Sequence, residues 1–134
     1  MNTPEHLPDL PFLVPLGKTA VFYVPAAKMD DARYGRDGKT PTELFDDFFL
    51  SQFGGLTHEE SKIQGRWSIE DGQQVLTDLH ERYEVTFDGD AREVQFLNFL
   101  SEMCALLKEE SLYLTMGDRA WLVKPSGPLA GSRQ

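Results

Sequence analysis

The chain has 134 residues, 40% hydrophobic and 11% aromatic, and its 22 acidic against 13 basic side chains give a formal net charge of −9. Such a length makes one domain that buries roughly two-thirds of its unfolded surface, and such a charge opposes nucleic-acid phosphates and anionic membranes. No apolar run approaches the ~20 residues of a membrane span, and a single cysteine, Cys104, excludes an internal disulfide or a cysteine-based metal site.

Residues 1–17 carry Pro4, Pro8, Pro11 and Pro15, a density that favours extended backbone over helix. Leu10, Phe12, Leu13 and Val14 suit this arm to pack along a surface or on a neighbouring subunit. The stretch lacks the basic region and apolar core of a secretory signal, so a cytoplasmic location is expected.

Thr19–Val24 (TAVFYV) is β-branched, aromatic and apolar on both faces, which predicts a central strand ended by Pro25. A long surface loop follows, with Lys28, Arg33, Tyr34, Arg36 and Lys39 interleaved with Asp30, Asp31 and Asp37. Its cations Lys28, Arg33, Arg36 and Lys39 make it a candidate anion-binding loop, although the aspartates largely neutralise it.

Thr40-Pro41 with Glu43 three residues after the threonine is a capping box with proline at the first helical position. Leu44, Phe45, Phe48, Phe49 and Phe53 then recur at helical spacing, Asp46-Asp47 read as the wet side, and Gly54-Gly55 stop the helix. Leu56–Glu60 reads as a polar connection in which His58-Glu59-Glu60 is a solvated turn rather than a metal cluster.

Ser61–Ile69 reads as a strand, Asp71-Gly72 as a hairpin turn, and Gln74–Phe87 as the returning strand. Val75, Leu79, Tyr83, Val85 and Phe87 share one face of that strand. Leu76, Asp78, His80, Arg82, Glu84 and Thr86 share the other, the pattern of a sheet with one face buried and one wet. A short helix over residues 73–79 is the alternative there.

Asp88-Gly89-Asp90 introduces a long helix whose apolar face carries Val94, Leu97, Leu100, Met103, Cys104 and Leu107, widened by Phe96, Phe99 and Leu106. Ser111–Met116 and Arg119–Val123 close the fold as two strands joined by Gly117-Asp118. The expected organisation is an arm over residues 1–17, one α+β domain over 18–124 and a flexible tail over 125–134.

The element order predicts a ferredoxin-like βαββαβ antiparallel sheet with two helices on one face and an extra C-terminal hairpin strand. The run from Gln64 to Val123 also resembles a family of small bacterial domains. The likeness rests on Gly65-Arg66-Trp67 ahead of a hairpin, a long helix, and Glu110–Leu114 in the last strand. It implies a ferredoxin-like fold and no particular activity or cofactor.

No phosphate-binding, dinucleotide-binding or metal-site motif is present, and no cofactor or metal is expected. The expectation is a non-enzymatic interaction domain, self-associating as a homodimer or binding, and in a special case inhibiting, a protein partner through the open sheet face and the proline-rich termini. The alternative is a small dimeric enzyme or small-molecule-binding protein with a pocket around His80, Arg82 and Arg66, edged by Trp67 and Glu84. Titratable groups gathered in a cleft are how such acid–base sites are made.

Overall fold

The strand that the sequence marks as central is central. The computed structural model describes residues 10–69 and 74–126, and within it β1 (Lys18–Pro25) is flanked on both sides. The order is β2–β3–β1–β4–β5, antiparallel throughout, with β2 Thr57–Ile69, β3 Gln74–Phe87, β4 Leu112–Met116 and β5 Arg119–Val123. This is the ferredoxin-like α+β arrangement with β5 added beyond β4. The helix alternative over residues 73–79 gives way to β3, and the Asp71-Gly72 turn lies outside the described residues.

Helices α1 (Pro41–Gln52) and α2 (Asp90–Leu106) cover one face of the sheet. The capping box forms as read: Thr40 accepts from the Glu43 amide and the Glu43 carboxylate accepts from the Thr40 amide. Phe45 and Phe49 of α1 and Phe96 and Phe99 of α2 meet Phe22 and Tyr83 of the sheet in one aromatic core. Phe22 stacks on Tyr83 at 5.1 Å between centroids, and Phe45 meets Phe99 edge-on at 5.4 Å. Aromatic contacts of this geometry add to the burial that drives folding.

Several details depart from the sequence expectations. The buried side of α2 is centred on Phe96, Phe99, Leu100 and Met103, so Val94 turns outward and Leu97 is only half-buried. The 26–39 loop is not a bare surface loop: Ala26 and Met29 are buried, and Tyr34 packs against the core. Finally, β2 begins at Thr57, so the expected polar connection is already strand.

Beyond Pro25, which pairs with His80, residues 74–79 of β3 pair with β2 and not with β1. The β2–β3 hairpin therefore runs on past the helix-covered sheet as a ribbon. Leu79, expected in the core, is 47% exposed for that reason. No helix among the described residues is long and apolar enough to cross a membrane.

Candidate functional site

A charged residue stands on the buried face of β3. The alternation that buries Tyr83, Val85 and Phe87 also buries Glu81, whose exposure is 4%. A carboxylate in that position must be paired to offset its lost hydration. Its partners come from β2. His58 Nε2 lies 2.7 Å from Glu81 Oε1, and Lys62 Nζ lies 3.7 Å from Oε2.

A bulge in β2 makes this possible. Glu59 pairs with Arg82 and Ile63 with His80, so residues 60–62 of β2 face the single residue Glu81. The extra chain brings Lys62 to Glu81, and His58, in register with Tyr83, reaches it diagonally. Bulges of this kind are concentrated beside functional sites because they re-aim side chains. The His58 ring also lies flat on Tyr83, 4.1 Å between centroids and 11° between planes.

The head of α1 completes the cluster. The Thr42 hydroxyl is within hydrogen-bond reach of the Met29 carbonyl at 3.0 Å and of Asp30 at 3.2 Å. The Tyr83 hydroxyl is buried close by with no well-formed partner among the described residues. Burial, and then the charges of Asp46 and Glu81, push its ionisation far above the ordinary phenol range. Asp46, read from the sequence as wet helix face, is half-buried. Burial raises its pKa, while the nearby His58 pulls it down.

The arrangement joins a carboxylate–imidazole pair, a phenol held as a donor and a second, raised carboxyl. Groups of these kinds can give and take protons.

The residues expected at a pocket lie apart from this cluster, on the open face where the sequence pattern put them and on the ribbon. Arg82 and Glu84 lie on the open face, paired with each other at 3.0 Å, and Arg82 also reaches Glu59 at 3.9 Å. His80 shares that face of β3 and sits where the ribbon leaves β1. Arg66 is out on the ribbon, donating to Gln64 at 3.2 Å, and the Trp67 side chain lies outside what the structure describes.

The cations of the 26–39 loop do not converge either. Lys28 holds the Leu107 carbonyl and Glu109 at 2.7 and 2.6 Å, Arg33 holds Asp31 at 2.7 Å, and Lys39 pairs with Asp47. At the opposite end of the sheet, a cleft of about 390 Å³ is lined by Gly17, Lys18, Phe87 and the start of α2. Lys18 there pairs with Glu93 at 2.6 Å, and Asp88 and Asp90 also line it. No group of three or more His, Cys, Asp or Glu among the described residues is placed to hold a metal ion.

Sequence reasoning passed over Glu81 and separated His58 from it. The available signal was Glu81 itself, a charge interrupting the apolar face between Leu79 and Tyr83.

The fold defines a small α+β domain of ferredoxin-like type, and two solved structures share it. A phage SAM lyase in complex with S-methyl-5'-thioadenosine aligns with a TM-score of 0.57 and 11% identity, over 88% of this chain and 98% of that one. A phage SAM lyase in the apo state aligns with a TM-score of 0.51 and 12% identity, over 81% and 89%. No family model matches the chain, and no curated protein does.

Proposed function

We propose that the protein is a small-ligand-binding α+β enzyme whose site is the Glu81–His58–Tyr83 cluster, and that its ligand is an adenosyl sulfonium of the S-adenosylmethionine type. The observation that carries this reading is the buried Glu81 carboxylate, held by His58 opposite a strand bulge and beside the Tyr83 hydroxyl. A sulfonium is a cation, so the Glu81 carboxylate complements its charge. The likeness to a SAM lyase over nearly the whole of that chain supports this ligand class over other cations.

Cleavage of the bond between the sulfonium sulfur and its amino-acid arm leaves the electron pair on sulfur and turns the cation into a neutral thioether. Where the arm leaves as an alkene, the carboxylate takes the proton from the arm's β carbon, the C–H pair becomes the new double bond to the γ carbon, and the C–S pair stays on sulfur. The test is incubation of the full chain with S-adenosylmethionine, followed by chromatography for methylthioadenosine. Release by the wild type, lost in Glu81→Gln and kept in Arg82→Ala, is the expected result. Release that is absent from the wild type, or equal in all three proteins, overturns the proposal.

A further inference from the structure

Residues 10–17 form an arm that enters β1 and carries no charged side chain before Lys18. Leu10, Phe12, Leu13, Val14 and Leu16 are all exposed on it, Phe12 at 78% and Val14 at 76%. Water-exposed apolar groups at this density are costly and mark a contact surface.

The sheet face away from the helices carries no covering element among the described residues, and is half-buried along β1 and β4 and exposed on β5. Cross-strand register orders one row on it as Leu122, Tyr113, Tyr23, Arg82 and Glu59, and a second as Ala120, Thr115, Val21, Glu84 and Thr57. The half built from β5, β4 and β1 is apolar or aromatic apart from Thr115, with Tyr23 and Tyr113 at 6.0 Å and Leu122 57% exposed. The half on β3 and β2 is charged, and its charges pair with one another.

We propose that the protein self-associates by laying the arm of one copy across the apolar half of this face on a second copy. The arm and the face belong to the same chain, so the contact can be reciprocal about a two-fold axis. The reach is sufficient: a turn closes Leu10–Leu13, and the four residues 14–17 beyond it span roughly 13 Å when extended, against roughly 10 Å across the three strands of the apolar half. Pro11 and Pro15 remove backbone donors, which favours side-chain packing on the face over addition as a sixth strand. The area is sufficient too. The five side chains leave on the order of 600 Å² open per arm, so two arms and the faces beneath them reach the roughly 1,600 Å² of a stable interface.

The contact is apolar and each copy carries −9, so screening should tighten it. This inference does not rest on the ligand reading, and its test needs no ligand. The full chain is sedimented at low and high salt beside a variant lacking residues 1–16, the arm variant Val14→Asp and the face variant Leu122→Asp. Val14 and Leu122 are exposed, and circular dichroism should show an unchanged fold in all three variants. The expected result is a self-associating wild type, tighter at high salt, with at least tenfold weaker association in all three variants. A wild type that stays monomeric at every accessible concentration, or variants that associate as it does, would overturn the proposal.

Discussion

Replacing Glu81 tests whether the buried pair is built for stability or for a site. In Glu81→Leu the carboxylate is lost and His58 Nε2 loses its 2.7 Å partner. A half-buried donor left unsatisfied costs about 1–3 kcal/mol. Lys62, whose side chain is 55% exposed, returns to water at little cost. Removing both members, in His58→Leu/Glu81→Leu, leaves no orphaned group, and exchange of a buried polar pair for apolar side chains is often neutral or stabilising. The double variant should therefore be about as stable as the wild type while losing ligand binding. Urea titrations of wild type, both singles and the double give the coupling. A value of about 1–2 kcal/mol moves the midpoint by roughly one molar or less at the usual urea dependence. Coupling near zero would mean that the pair does not form. A double variant several kcal/mol below the wild type would make the pair a structural element.

Three further outcomes follow from particular contacts. Thr40→Ala removes the side-chain half of the capping box and should cost about 1 kcal/mol in a denaturant titration with the fold intact. Leu100→Asp puts an unpaired charge at a fully buried position, at a cost comparable to a domain's whole stability of roughly 5–15 kcal/mol, so folded protein should not be recovered. Burial, and then the Glu109 carboxylate, push the Cys104 thiol up from an ordinary 9.0 to about 11. Its contribution to stability is then intact below pH 9, declines as pH rises between these values and is lost above about 11. At pH 8 a thiol reagent should react with the folded protein no faster than unfolding exposes the sulfur.

What could be read from the sequence was local or periodic. The capping box at Thr40 depends on residues three apart, and β1 announced its central place by being apolar on both faces. The order of the elements was enough to give the α+β fold. The departures all depend on neighbours distant in the chain. Val94 lies on a helical stripe but outside the arc that the sheet covers, because Phe96 and Phe99 claim the aromatic core. Leu79 keeps the alternation of β3 but belongs to a ribbon with no helix beneath it. Met29 is buried because the head of α1 folds over it, with the Thr42 amide donating to its carbonyl at 3.0 Å.

The cluster was hidden for the same reason. His58 and Glu81 are 23 residues apart, and a bulge sets their alignment, which no period in the sequence encodes. Arg82, Glu84 and His80 attracted attention because they alternate visibly. That alternation is what an open sheet face with cross-strand pairing produces.

The most direct test of the ligand site is a nuclear magnetic resonance titration of the isotope-labelled full chain with S-adenosylmethionine and with methylthioadenosine. The proposal predicts saturable shifts centred on Thr42, Asp46, His58, Glu81 and Tyr83, smaller for the neutral thioether than for the sulfonium. Spectra that do not change, or changes confined to the cleft around Lys18 and Glu93, would contradict it.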